Sequence, residues 1–320
     1  MAMRAPHVLL ASTLSIGALA FVAGTPASPI AATRAAAMQQ PAATPAPTQV
    51  TPPREKDSVR FAIIGDTGTG TSSQYEVGER LTVSRQMFPF DFVIMLGDNI
   101  YGSERPQDFI TKFEKPYKAL LDAKVPFYAA LGNHDDPTQR YYKPFNMNGE
   151  RFYTFTKGNA RFFALDSNYM DQTQLKWLDE QLSRANERWK IAYFHHPLYS
   201  SGEKHGSEVD LRTQVEPLFI KYGVDVVFAG HEHFYERIKP QNGIYYFIEG
   251  GSAKLRKGDI RGGPLTAAGF DTDFTFMLAE LGKDAMQFQV LARNGKPIDS
   301  GSLPLTAEPK RAEADTPSSR

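Results

Sequence analysis

Five short segments constrain the fold of this 320-residue chain more than any other feature. They are Gly65-Asp66-Thr67-Gly68, Gly97-Asp98-Asn99-Ile100-Tyr101, Gly132-Asn133-His134-Asp135, His195-His196-Pro197 and Gly230-His231-Glu232-His233. Each comes just after a short apolar run, at 60–64, 92–96, 127–131, 191–194 and 224–229, of the length expected of a buried strand. Between the runs, 73–87, 106–121, 172–186 and 208–222 read as helices, the third with Leu175, Leu178 and Leu182 on one face. The alternation predicts a layered α/β domain with polar residues at strand ends, where open sheets place their sites. Stretches at 152–163, turning at Gly158 and Asn159, and at 245–249, 275–280 and 286–291 suggest a second sheet.

Carboxylates, an amide oxygen and imidazoles are donors suited to transition-metal ions, and the glycines allow the sharp turns that aim them into one pocket. Taken singly each segment is weak, because an Asp after a strand is usually a cap or a turn former. The histidines decide the matter. Six of the seven lie in or beside these segments, the exception being His7, whereas surface or core histidines would scatter.

In order and spacing the five motifs resemble the signature of the calcineurin-like metallophosphoesterases over 59–292, Tyr101 resembles the mark of the purple acid phosphatases among them, and with no further β domain read before Val59 the chain looks like their small, mammalian-type form. The resemblance implies a four-layer α/β/β/α sandwich of two mixed β-sheets, with a dinuclear metal centre at the strand ends. Transferred residue by residue, it makes Asp66, Tyr101 and His233 ligands of the first metal, and Asn133, His195 and His231 ligands of the second, with Asp98 bridging. It further implies acid-phosphatase-type hydrolysis of phosphate monoesters, in which metal-bound hydroxide attacks phosphorus while His134 and His205 bond the phosphate and protonate the leaving group. A free tyrosine has a pKa of about 10, so an ionised Tyr101 at acidic pH asks for iron(III) as first metal. Iron, zinc or manganese suits the second site. Two alternatives compete: a phosphodiesterase for cyclic nucleotides or phospholipid headgroups, which usually lacks the tyrosine, and a non-catalytic metal-binding surface protein. The full set of candidate ligands with His134 and His205 argues against the latter.

Around the motifs, His196 reads as a pocket wall or a donor behind the ligands, and Glu232 as facing solvent. Asp135 is expected to orient a ligating histidine. Tyr235 and Arg237 either line the substrate mouth or pack their strand, and the aromatics Tyr141, Tyr142, Phe145, Phe152 and Tyr153 read as packing. Loops 102–106 and 254–269 are expected to set substrate choice.

The 36 basic and 36 acidic residues cancel, so bulk charge recommends neither nucleic acid nor an anionic membrane, and a small phosphate ester is the expected partner. Residues 1–27 read as an export signal, 28–57 as a Pro/Ala-rich linker, 58–306 as the catalytic domain and 307–320 as a disordered tail. The expected location is periplasmic or extracellular, without stable membrane insertion after cleavage. The chain has no cysteine, which leaves packing and metal to stabilise it.

Overall fold

Runs rich in Val, Ile and Phe become strands covered on both faces, as the interior of a parallel sheet requires. In chain order they are β1 (Val59–Ile64), β2 (Phe92–Met95), β3 (Phe127–Ala129), β4 (Tyr153–Lys157), β5 (Ala160–Ala164), β6 (Trp189–Phe194), β7 (Val226–Ala229), β8 (Tyr235–Gln241), β9 (Ile244–Glu249), β10 (Thr266–Phe270), β11 (Thr275–Leu281), β12 (Ala285–Ala292) and β13 (Pro297–Pro304). The helices are α1 (Ser72–Met87), α2 (Pro106–Phe109), α3 (Lys118–Asp122), α4 (Gln172–Ser183) and α5 (Val209–Tyr222). The structure is a computed structural model that describes residues 49–305. The signal at 1–27, the linker up to residue 48 and the tail at 307–320 lie outside the described residues.

One sheet has the order β13-β12-β11-β1-β2-β3 and the other β10-β8-β9-β7-β6-β5-β4. β1, β2 and β3 run parallel, with β11 antiparallel to β1. In the other sheet β5, β6, β7 and β9 run parallel, while β4 and β8 pair antiparallel with their neighbours. Parallel blocks bring successive C-terminal strand ends to one edge, and all five motifs leave from such ends.

Period-two alternation divides the apolar side chains among three interfaces, which makes four layers. Phe61 and Ile63 of β1 face the other sheet; the Phe61 ring stacks on Phe92 of neighbouring β2 at 5.3 Å and meets Phe162 of the other sheet edge-on at 5.2 Å. Ala62 and Ile64 face the opposite way, onto Val77 and Leu81 of α1 and Phe113 beyond α2. On the far side Phe194 and Val227 pack against Leu178 and Leu182 of α4 and Val215 and Phe219 of α5. Each such phenylalanine contributes about 1.5–3 kcal/mol by leaving water. Among the described residues no helix is long and apolar enough to cross a membrane.

The strands are distributed differently from the sequence expectation. The first three motif strands share a sheet with the C-terminal strands β11 to β13, and the other two share one with the β4–β5 hairpin. Strand periodicity records which faces are covered but not which strand is the neighbour. The helix expected over 106–121 is also broken, into α2, a π-helical turn at Ile110–Glu114, and α3. Pro116 has no N–H to give Lys112 O, and the Gln74 side chain supplies that donor at 2.5 Å. Two strands went unanticipated, β10 in the expected substrate loop and the edge strand β13, which opens on a proline, while β8 is the strand expected at Tyr235 and Arg237. At the other end residues 49–57 form no regular element. They are nonetheless tied down where Glu280 accepts the backbone N–H groups of Arg54 at 2.9 Å and Glu55 at 3.1 Å.

Candidate metal centre

Three of the expected ligands occupy the left-handed backbone region directly after a glycine: Asp66 (φ 54°), Asp98 (φ 51°) and His231 (φ 69°). Side chains rarely adopt this conformation, and each instance costs on the order of 1–3 kcal/mol unless the surroundings impose it. Here they do, because the strand ends are clamped together. Asp66 N–H donates to Gly97 O at 3.1 Å, Gly230 N–H donates to His195 O at 2.9 Å, and a Cβ on Gly132 would lie 2.2 Å from Asp98 N. The turns therefore crowd their side chains into one space between the sheets.

Asn133 Oδ1, His195 Nε2 and His231 Nδ1 form a triangle with sides of 2.9, 3.0 and 3.1 Å. His195 Nδ1–H donates to Leu96 O at 2.9 Å, so its Nε2 is a bare lone pair. Two of the three corners are then acceptors, and one proton at most, on His231, is available to bridge them. A cation answers that arrangement. Burial, then the charge of His196, holds the His195 pKa well below the usual range, and burial and His195 lower that of His231, so both rings are neutral and ready to ligate.

The second group gathers around Asp66 Oδ1, which accepts from Tyr101 Oη–H at 3.0 Å and lies 3.4 Å from His233 Nε2. Tyr101 Oη is 3.3 Å from the same nitrogen. Ligand atoms of Asp66, Asp98 and His233 lie within 4.8 Å of one another. Asp98 Oδ1 is also 3.5 Å from His195 Nε2, so Asp98 reaches both groups. Burial and the Asp98 charge push the Asp66 carboxyl up, and burial with the Asp66 charge pushes the Tyr101 phenol up. Both shifts have the sign of an anionic cluster awaiting positive charge, and the seven donors fit a pair of ions.

His134 and His205 line this space without entering either triangle. His134 N–H donates to Asp98 Oδ1 at 2.9 Å, and its ring lies 5.0 Å from that of Tyr101. The His205 ring is 4.2 Å from that of His231.

Several neighbours differ from expectation. Glu232 does not face solvent: it is wholly buried, accepts from Gly206 N–H at 2.7 Å and Ser200 Oγ–H at 3.2 Å, and burial pushes its carboxyl up to about 7. Alternation fails here because 230–234 is a turn and not a strand. Asp135 orients no histidine among the described residues. It accepts from the backbone N–H of Gly132 at 2.8 Å, Asn99 at 3.1 Å and Ile100 at 3.0 Å, which joins the Asp98 and Asn133 turns. Tyr235 packs between the sheets, as its strand's two-residue period demands, and it and Arg237 both bond Asp299 of β13. Of the aromatics, Phe145 is wholly buried and Tyr141 is 64% exposed.

Arg256 is the functional candidate that sequence reasoning missed. Its Nη1 is held by Asp259 at 3.1 Å and Glu232 at 3.4 Å, and its Nη2 lies 3.3 Å from both His205 Nε2 and His233 Nδ1. A cation on His233 Nε2 leaves the ring proton on Nδ1, so the donor-only guanidinium keeps His205 Nε2 as its acceptor. Nearby, Lys254 Nζ sits 4.3 Å over the Tyr101 ring. Neither residue lies in a recognisable motif; the sequence marked them only as part of loop 254–269, expected to set substrate choice, where three of the four residues 254–257 are basic.

A family model described as calcineurin-like phosphoesterase matches residues 59–235, a span holding all seven candidate ligands. Human tartrate-resistant acid phosphatase type 5 is 25% identical over 79% of this chain and 93% of its own length. Purple acid phosphatase of Glycine max is 29% identical, over 63% of this chain and 49% of its own length. Among solved structures, GAP50 of Plasmodium superposes with a TM-score of 0.67 at 22% identity, covering 80% of this chain and 91% of that one. A purple acid phosphatase from Lupinus luteus seeds gives 0.65 at 19%, covering 78% of this chain and 54% of that one. At such identities these two likenesses bear on the fold alone.

Proposed function

Since the chain belongs to the calcineurin-like phosphoesterase family, we propose that it hydrolyses phosphate monoesters at a two-metal centre, as an acid phosphatase. The observation behind this reading is that Asp98 lies in reach of both donor groups, the position a bridging carboxylate takes. Two ions bound there would polarise the phosphoryl group and activate water.

The chain's own residues do the rest. Asp66, Tyr101 and His233 hold one ion and Asn133, His195 and His231 the other, with the phenol favouring iron(III) and the second group accepting iron, zinc or manganese. His134, solvent-facing and anchored through its backbone to Asp98, donates a proton to the departing alkoxide. His205, whose Nε2 accepts from Arg256, keeps its proton on Nδ1 and uses it to hold the phosphate. Residues 1–27 read as an export signal, and the location this reading implies is periplasmic or extracellular.

The test combines spectrum and turnover. The oxidised, metal-loaded protein is expected to be coloured, Tyr101→Phe to bleach it, and chelation to abolish hydrolysis of phenyl phosphate. His134→Ala should keep metal and colour while kcat falls roughly 10²- to 10⁴-fold on an alkyl ester, and less on an activated aryl ester that needs little protonation. A colourless protein carrying two zinc ions would refute the iron assignment. Loss of metal in His134→Ala would refute its role as acid.

A further inference from the structure

A cleft of about 390 Å³ opens beside the second donor group, walled by Asn133, Asp166, Ser167, Asn168, Tyr169 and His196 among others. Asn133 belongs to both cleft and cluster, as does His196, which has a ring nitrogen within 4.8 Å of those of His195 and His231, so the cleft begins where the phosphate would be held.

Three features of its walls identify an occupant. The first is Tyr169, an aromatic left 61% exposed at the rim. Its carbonyl accepts from Asp171 N–H at 3.0 Å and Gln174 Nε2–H at 3.1 Å, and the Arg151 guanidinium, itself bonded to buried Asp166 at 2.8 Å, lies 5.7 Å from the ring centre. With its backbone anchored and only two side-chain torsions to fix, this ring loses little freedom when another ring stacks on it. The second is His196. Ser167 Oγ accepts the His196 backbone N–H at 3.1 Å and lies 2.8 Å from its Nδ1. With the Ser167 hydroxyl donating to Nδ1, the ring proton sits on Nε2. His196 therefore offers a donor and not a lone pair. The third is Glu208, which lines the cleft and forms no ion pair among the described residues, while Asp166 is neutralised by Arg151. Its charge opposes a second anionic group.

We infer that this cleft receives the organic part of the ester and selects a neutral, ring-bearing hydroxyl compound. The ring lies on Tyr169, an oxygen accepts from His196, and Glu208 turns away leaving groups that carry a further negative charge. The inference rests on the phosphoesterase reading and is tested by binding, without turnover. Calorimetry on the metal-loaded protein would compare methylphosphonate, phenylphosphonate and 4-carboxyphenylphosphonate.

The wild type is expected to bind phenylphosphonate most tightly. Tyr169→Ala should shrink the phenyl-to-methyl ratio of Kd values by roughly 3- to 10-fold, the worth of one aromatic contact. Glu208→Gln should narrow the gap between the phenyl and carboxyphenyl ligands at least about threefold, and added salt should narrow it in the wild type. Ratios unchanged in both variants overturn the cleft assignment while leaving phosphate binding intact. A metal-loaded protein that binds none of the three overturns the phosphoesterase reading itself, and the cleft assignment with it.

Discussion

Asp98 and Arg256 show how differently two residues at one site come to matter. Asp98 reaches both donor groups, whereas Asp66 reaches one. Asp98→Ala should therefore strip both ions and Asp66→Ala chiefly the first, a difference that metal analysis of the purified variants measures; Asp98→Ala retaining both would exclude the bridging role. Arg256 works by holding charge in place. Arg256→Met keeps the stem but leaves the wholly buried Glu232 carboxylate and its neighbour Asp259 without a cation. The expected loss is about 1–3 kcal/mol in urea unfolding. Adding Glu232→Gln should recover part of it, because a neutral amide no longer needs the guanidinium. A double variant no more stable than Arg256→Met alone would show that the network does not act as a unit.

At the scale of elements, the centre depends on turns that permit no side chain. Gly97 joins β2 to the Asp98 turn at φ +89°, and a Cβ there would meet His195 Nδ1 at 2.7 Å and Gly132 Cα at 2.8 Å. Gly97→Ala is expected to cost roughly 2–4 kcal/mol, from positive φ plus forced displacement of a ligand turn. Gly102 is the natural control, with φ +78° but nothing within 4 Å of where a Cβ would stand, so Gly102→Ala should cost only about 1 kcal/mol. Equal shifts in unfolding midpoint for the two variants would mean that the close approach of the strand ends does not matter. The broken segment around Pro116 teaches the same lesson, since its free carbonyl finds Gln74 on α1, a partner 38 residues away in sequence.

For the whole molecule, stability depends on how the two sheets meet, and Glu249 sits at that junction. It ends β9, is wholly buried, accepts from Thr275 Oγ1–H of β11 in the opposite sheet at 2.7 Å, and burial pushes its carboxyl up to about 8 from an ordinary 4.5. The folded state thus holds a proton that the unfolded chain releases. Its contribution to stability is complete below pH 4.5 and is lost as pH rises through about 8. Between those limits one such proton tilts stability by at most about 1.4 kcal/mol per pH unit. Glu249→Gln cannot titrate, so its unfolding free energy should fall less steeply from pH 5 to 8 than that of the wild type, and parallel curves would contradict the assignment. What the sequence determined by itself was local. Strand runs, the α4 and α5 helices, the β4–β5 turn and the ligand motifs are each written within a few residues, because covalent neighbours set backbone period, turn chemistry and donor type. Tertiary structure alone decided which strands pair, that Glu232 turns inward, that Asp135 ties turns together, and that Arg256 reaches the histidines. Those outcomes depend on groups tens to hundreds of residues apart competing for the same space and charge, and no local pattern records that competition.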